Sequence, residues 1–339
     1  MDSAIGGGSA NTIAHNSASA TIAGGAGNNV GASSEWSAIG GGEHNNIGDF
    51  SESAAIAGGR QNNIGTNSYF GAIGGGHENT IAHNSQAATI AGGWNNRASG
   101  PFATVAGGSY NSTTNEWTTI SGGRDNLATK AYATVPGGRN NEAGGEDSFA
   151  AGRRAKAHGA GSFVWGDSKD FDVHAWGADQ FVVRATGGYW LFSAVDGSGN
   201  PTAGVTLAAG SGSWTSISDR NAKEDFEPVN PLEVLNKVVA LPVTTWRYKS
   251  QEPDVRHIGP VAQDFHAAFG VGESDTGITT VDADGVALAA IQGLNAKVES
   301  GKQKAEIRME KLEAENAALK ARLERLEQLL AQQLNQNTP

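Results

Sequence analysis

An aliphatic residue returns at a fixed interval through the first part of this chain, and that interval decides what the chain can fold into. AIGGG, TIAGG, AIGGG, AIAGG, AIGGG and TIAGG place Ile5, Ile22, Ile39, Ile56, Ile73 and Ile90 seventeen residues apart. TVAGG, TISGG and TVPGG then place Val105, Ile120 and Val135 fifteen apart, and SFAAGRRAKAHGAGSFVWGD tightens to about fourteen. A second ladder, NTI, NNV, NNI, NNI and NTI, sets Ile13, Val30, Ile47, Ile64 and Ile81 in the same phase.

A unit of this length cannot bury its apolar side alone, so the coils must stack on one another. Each coil is expected to hold two short β stretches with one buried aliphatic apiece. Glycine density in the repeat argues against helix there, because each Gly costs about 1 kcal/mol relative to Ala. A chain rich in Gly, Ser and Asn could be disordered, but six repeats in strict Ile phase argue otherwise. Gly-Gly and Asn-Asn are expected at the corners, where positive φ is needed.

Three residues before the core aliphatic stand Trp36, Phe70, Phe102, Trp117 and Tyr132, with Ser19, Ser53 and Ala87 in other coils. An odd offset along a strand puts them on the face opposite the core. Two readings stay open: a ladder stacked between subunits, or an exposed strip for a glycan or protein receptor. Asn111-Ser-Thr reads as a corner. His15 and His83, in two copies of NTIAHNS, read as solvated corners and not as metal ligands. Thr21, Thr89, Thr104, Thr119 and Thr134 form too broken an array for an ice-binding face.

The formal charge of -11 argues against nucleic acid and anionic membranes as partners. Zero Cys excludes disulfides and thiolate sites. No apolar run reaches the ~18 residues that a membrane span needs. The N-terminus has neither a basic region nor an apolar block, so no signal peptide is expected. No cofactor or metal is called for. Residues 169–217 read as a β connector: ADQFVVRATGGYWLFSAV as a hairpin turning at TGG, then GVTLAAGSGSWTSIS as further strands. Phe181, Trp190 and Phe192 are candidates for burial between chains.

Beyond Ser218 the texture becomes α+β. Asn230-Pro231-Leu232-Glu233 is a helix start with Pro at its first position. PVTTWRY and RHIGPVA read as strands, QDFHAAFG as a helix stopped by Gly270, and VALAAIQGLNAKV as a helix capped near Asp282 or Asp284. VDADG lacks the downstream Glu of a calcium loop and reads as part of that cap. Residues 291–333 carry heptads. Ile291, Val298, Ala305, Leu312, Leu319 and Leu326 fall on one seam; Met309, Asn316, Leu323 and Leu330 fall on the other. Asn316 should fix register. Leu on both seams does not choose dimer over trimer.

SISDRNAKEDF sits where the texture changes. A Ser hydroxyl is a weak nucleophile until something takes its proton. A desolvated Lys can do so, because burial favours its neutral amine. Spacing alone carries little weight, since Ser and Lys five apart are common.

The motifs around the pair carry more. SFAAGRRAKAHGAGSFVWGD resembles the head of trimeric autotransporter adhesins and related phage fibres, which implies a three-chain parallel β-roll over about residues 1–168. SDRNAKEDFEPVNPLEVLNKV, TTWRY, HIGPVAQDF and VDADGVALAAIQGL, in this order, closely resemble the endosialidase-type C-terminal intramolecular chaperone, a self-cleaving serine peptidase module of phage tail spikes and fibres. The resemblance implies that three chains associate through this domain, template the upstream fibre and then cut it free. Ser218 would be the nucleophile, Lys223 the base and Ile217-Ser218 the scissile bond. Asp219 and Arg220 would position the pair. His257, Gly259, Gln263 and Asp264 match a second motif, and Asp282 and Gly285 a third, as structural and interface residues.

The expected fold is mainly β: a trimeric parallel β-roll or solenoid head and β neck, then an α+β chaperone domain and a C-terminal trimeric coiled coil. The expected boundaries are 1–168, 169–217, 218–296 and 297–339. The expected function is a homotrimeric fibre or adhesin, on a virion or cell surface, that meets a host glycan or protein receptor and releases its own chaperone. The alternative is a structural fibre whose seam never cuts.

Overall fold

The computed structural model describes residues 2–336. Two parallel sheets run side by side through the N-terminal part. One has twelve strands, from Ala4–Ile5 to Phe181–Arg184; the other has eleven, from Thr12–Ile13 to Val173–Ala175. Most strands are two residues long, one pointing outward and one inward. The register follows the repeat: Ile22 faces Ile39 in one sheet, and Val30 faces Ile47 in the other. These inward residues are at most 1% exposed. Each buried aliphatic contributes roughly 1.5–3 kcal/mol, which is why a coil with two of them stacks firmly.

The Asn-Asn pairs differ from expectation. The first Asn of each pair is buried and forms a ladder through the interior. Asn28 Nδ2 donates to the carbonyls of Gly24 at 3.0 Å and Gly42 at 2.9 Å, while its Oδ1 accepts from Asn45 N at 3.0 Å. The pattern repeats through Asn141. Buried backbone groups need partners, and this amide supplies them at a corner no strand can reach. The second Asn starts a strand, as in Asn46–Ile47. Positive φ falls instead on glycines such as Gly59 (φ 91°), where a Cβ would overlap the Gly76 carbonyl, and on the residue before each pair, such as His44 and Gln61 (φ 55° each). Asn111 belongs to this buried ladder, so its sequon lies at a corner, as expected, with the amide turned inward. A parallel serine ladder serves the next corner: Ser34 Oγ donates to the Gly48 carbonyl at 2.9 Å and accepts from Ser51 N at 3.1 Å.

A second correction concerns Trp36, Phe70, Phe102, Trp117 and Tyr132. They do not lie on a strand face, because the strands are too short to reach them. Each occupies a turn with φ between 54° and 60°, and each is exposed. Left-handed backbone is unusual for bulky residues.

The solenoid also runs past residue 168. Ala155 pairs with Val173, and Phe163 with Phe181. Phe181–Arg184 is therefore the last strand of the large sheet and not half of a hairpin with Gly188–Val195. The coil lengthens to 18 residues here, so the repeat phase is lost while backbone pairing continues. The inserted loop is held by charge. Asp167 accepts from Arg184 Nε at 2.8 Å, Thr186 N at 2.9 Å and Thr186 Oγ1 at 2.7 Å. Burial opposes ionisation of Asp167, but the bonds from Thr186, Arg184 and Lys169 outweigh it and hold the carboxyl well below its usual range.

The described chain falls into two compact units: residues up to Trp190 with Leu207–Trp214, and Leu191–Thr206 with Thr215 onward. Gly188–Val195, Pro201–Ala208 and Thr215–Ser216 form a three-stranded sheet in that order. Phe181, Trp190 and Phe192 are exposed within one chain.

In the second unit α1 (Pro231–Ala240) starts at Asn230, whose side chain accepts from Leu232 N and Glu233 N. Thr244–Trp246 pairs antiparallel with His257–Gly259. Next comes α2 (Ala262–Phe269), closed by Gly270 at φ 65°. The last element, α3 (Thr280–Gln336), is one helix of 57 residues, unbroken at 297. Its cap is Thr279, whose Oγ1 accepts from Asp282 N at 3.1 Å and donates to Asp282 Oδ2 at 2.7 Å. Asp282 is thus a first-turn residue and not the cap itself. Helix α1 meets α3 at buried Gly293, where a Cβ would overlap the Pro231 carbonyl. Leu235, Phe265, Ala289 and Ala290 make the small core. The heptad residues Leu312, Leu319, Leu323 and Leu326 are exposed in the single chain, as the apolar seam of a coiled coil is before it pairs. Among the described residues no helix is long and apolar enough to cross a membrane.

Candidate functional site

The seam is built from an edge strand and one tight turn. Thr215–Ser216 pairs antiparallel with Val205 and Thr206, and Ile217 N donates to the Gly204 carbonyl at 3.0 Å. Pairing stops there. Asp219 is extended and caps a 3-10 helix, Arg220–Ala222, with its Oδ1 accepting from Asn221 N at 2.8 Å and Asn221 Nδ2 at 3.1 Å. Lys223 N then donates to the Arg220 carbonyl at 3.2 Å. The turn folds the chain back on itself and leaves Lys223 Nζ 2.7 Å from Ser218 Oγ. Both groups are exposed in the single chain. The Arg220 guanidinium lies over the Phe226 ring, 5.0 Å from its centroid, a cation–π contact that braces the outer side of the turn.

This arrangement can do proton transfer. An amine within hydrogen-bond reach of a hydroxyl is a base whenever it is neutral, and the hydroxyl is then a nucleophile. The peptide carbonyl of Ile217 is the nearest electrophile by covalent connection.

The other sequence candidates sit elsewhere in the same unit. His257 Nε2 is 2.9 Å from Gln251 Oε1, and its ring packs 4.8 Å from that of Trp246. Gly259 pairs with Thr244. Gln263 and Asp264 are exposed on α2. Asp282 and Gly285 line a cleft with Val234, Phe269 and Val286. Among the described residues no hydrogen bond or ion pair joins His257, Gln263, Asp264 or Asp282 to Ser218 or Lys223. The sequence reading missed Asn221 and Gln251. Asp-x-Asn after a strand end is the signal for the first, since an Asp side chain bonds its own backbone two residues on.

In the solenoid, the aromatic candidates split. Phe102 and Trp117 stack at 4.1 Å with ring planes 5° apart. Trp36 and Phe70 are separated by Ser53 in the intervening coil. His83 is bonded as well as exposed, with its Nδ1 accepting from Thr66 N at 3.0 Å.

Among curated proteins nothing matches the sequence. Residues 218–271 match the family model described as chaperone of endosialidase; the match begins at Ser218 itself and ends before α3. This segment, with its Ser–Lys turn, its capped helix and its paired strands, is an endosialidase-type chaperone domain set behind a parallel β-solenoid.

Proposed function

We propose that the chain is a subunit of a homotrimeric virion or surface fibre whose C-terminal domain assembles three chains, templates the solenoid and then releases itself. The observation that carries this reading is the 2.7 Å approach of Lys223 Nζ to Ser218 Oγ, at the first residue of the matched segment.

The chemistry is balanced within the chain plus water. Neutral Lys223 takes the Ser218 hydroxyl proton while Oγ attacks the Ile217 carbonyl carbon and closes a five-membered ring. Collapse breaks the carbon–nitrogen bond, and the proton returns to the Ser218 nitrogen. An ester now links Ile217 to Oγ, and water hydrolyses it to a C-terminal carboxylate and a free serine. Each chain turns over once.

Exposure of both groups in one chain gives the reaction its timing. A hydrated lysine is cationic and cannot take a proton, whereas desolvation favours the amine. Packing of neighbouring chains over the turn would supply that desolvation, so the cut follows assembly. Parallel stacking in register is slow, because its contacts are distant in sequence. A trimeric nucleus at the end of the chain holds register while coils stack, and scission then makes the fibre kinetically stable. The apolar seam of α3 and the aromatic turns of the solenoid are where we place contact between chains.

Intact mass and N-terminal sequencing of the expressed protein test the reading. The expected product is a fragment beginning at Ser218. A purified trimer that stays full-length would instead support the structural fibre whose seam never cuts.

A further inference from the structure

Ile217 is held to its neighbouring strand by half of a pair. Val205 faces Ser216 and Thr206 faces Thr215 in antiparallel register, so the next partners along are Gly204 and Ile217. In a regular ladder such a pair exchanges two bonds. Here one forms: Ile217 N donates to the Gly204 carbonyl at 3.0 Å. The return bond, from Gly204 N to the Ile217 carbonyl, is absent among the described residues.

Gly204 is shaped to leave the pair half made. Its φ is 144°, against about −140° in an ordinary antiparallel strand. Rotation about N–Cα turns the amide out of the ladder while the carbonyl stays in it. Only glycine fits there. A Cβ would stand 2.3 Å from the Leu191 carbonyl oxygen and 2.8 Å from Phe192 Cα on the strand beside it, and a side chain strains backbone of this hand. Sheet carbonyls are paired as a rule. The one left open here belongs to the peptide bond before Ser218, whose Oγ lies 2.7 Å from Lys223 Nζ.

We propose that Gly204 takes part in the cleavage step through both of its backbone groups. Its carbonyl anchors Ile217 by N, and its N–H donates to the oxyanion that forms on the Ile217 carbonyl as Oγ attacks. This role presupposes self-cleavage at Ile217-Ser218. In that step the bond from Oγ to carbon forms, the hydroxyl proton passes to Lys223 Nζ, and the carbonyl π pair moves onto oxygen. Gly204 keeps its proton and gives only a hydrogen bond. A donor that leaves the planar carbonyl alone and meets the oxyanion favours the transition state over the ground state, which is what lowers a barrier. Gly204 precedes the matched segment, residues 218–271, so the strand ahead of that domain would complete its active site.

Gly204→Ala is no test, because its Cβ meets the Leu191 carbonyl. Gly204→glycolate, made by cell-free translation of the full chain, replaces the N–H by an ester oxygen and keeps both the carbonyl and the freedom of φ. The α-hydroxy counterpart of Thr206 removes a donor from the same strand, opposite Thr215, away from the Ile217 carbonyl. Time courses of the Ser218 fragment on a denaturing gel, with light scattering for assembly, compare both with wild type. Gly204→glycolate is expected to assemble normally and to cut roughly 100-fold more slowly or worse, as loss of one oxyanion donor should. The Thr206 ester is expected to cut at close to the wild-type rate. The role of Gly204 is overturned if its ester cuts as fast as wild type, if the two esters slow cleavage equally, or if the Gly204 ester loses assembly along with cleavage. An uncut wild-type trimer would overturn the Ser218–Lys223 reaction itself, and this role with it.

Discussion

Lys223 Nζ stands 2.7 Å from Ser218 Oγ across a single 3-10 turn. The distance suits a proton transfer, but it would equally suit a structural hydrogen bond, so the test must change basicity without changing reach. Ser218→Ala and Lys223→Ala should each abolish the Ser218 fragment on a denaturing gel. Lys223→Arg is the sharper variant: a guanidinium still donates to the hydroxyl but cannot be deprotonated in a protein. It should slow cleavage by at least ~100-fold, the lower range for loss of a general base. Normal cutting by Lys223→Arg would remove Lys223 from the reaction.

Asp219 should matter through geometry. Its carboxylate ties Asn221 N and Nδ2 at 2.8 and 3.1 Å, and those bonds set the turn that returns Lys223 to Ser218. Asp219→Ala should slow cleavage roughly 10-fold or more, as about 1.4 kcal/mol per decade implies for the loss of one or two such bonds. Asp219→Asn keeps the acceptor oxygen and should recover most of the rate. Equal rates in both variants would show that the turn holds without the side chain. Time courses on the gel decide it.

The repeat was legible because one aliphatic per two-residue strand leaves no freedom of phase: Ile22, Ile39 and Ile56 could only stack. What those coils do at their corners was not legible. Asn28 and Asn29 look alike in sequence, yet one bridges three backbone groups inside and the other begins a strand. The difference comes from the coil above, which a linear pattern does not display. Trp36 is similar. Its left-handed backbone is imposed by a bond from Trp36 N to the Ala18 carbonyl at 3.0 Å, and the column holds Ser, Trp, Phe, Ala and Tyr without a shared chemistry. The motifs around Ser218 and Lys223 single out the pair, and the fold brings the two side chains to 2.7 Å; Asn221, whose bonds to Asp219 shape the turn between them, carries no such signal. The strand at Phe181 reads as half of a hairpin in sequence, and its pairing with Phe163 was hidden because the coil lengthened and broke the period.

The interior asparagine ladder predicts a steep contrast between adjacent residues. Asn62 Nδ2 donates to Gly58 and Gly76 carbonyls at 3.0 and 2.9 Å, and Oδ1 accepts from Asn79 N at 3.1 Å. Asn62 is fully buried and the carbonyls it serves partly so, and Asn62→Ala leaves all three groups without this partner, at about 1–3 kcal/mol for each that water does not replace. Its neighbour Asn63 accepts one bond, from Asn46 Nδ2 at 2.7 Å, on the outer face. Asn63→Ala should cost under about 1 kcal/mol. Urea unfolding followed by circular dichroism compares them; similar midpoints would contradict the ladder's role.

Asp167 predicts an acid limit for the end of the solenoid. Its carboxyl is held below its usual range in the fold, while in the unfolded chain it titrates near 3.9. The unfolded state therefore binds the proton first, and stability falls as pH drops below about 4 toward the folded value. Above that window the ionised Asp167 contributes in full. Asp167→Asn should lose about 2 kcal/mol at neutral pH, the worth of charged hydrogen bonds. It should also flatten the dependence between about pH 2.5 and 4.5. Unfolding midpoints across that range check the sign; an unchanged slope in Asp167→Asn would assign the acid sensitivity to other carboxylates.

Phe102 and Trp117 stack at 4.1 Å in turns at φ 59° and 56°. Left-handed backbone costs an L-residue roughly 1–2 kcal/mol, and the stack returns roughly 0.5–1.5 kcal/mol beyond its burial. Two such residues cost roughly 2–4 kcal/mol together, more than one stack returns, so the aromatics bring the isolated solenoid no net gain. Contact between chains is what would make them worth keeping. Phe102→Gly with Trp117→Gly should therefore leave the circular dichroism and melting of the solenoid close to wild type. The trimer should nonetheless fall apart at protein concentrations where the wild-type assembly persists. Light scattering on a dilution series reads this directly. A trimer that survives dilution unchanged would place the column on the outside of the fibre, free to meet a receptor.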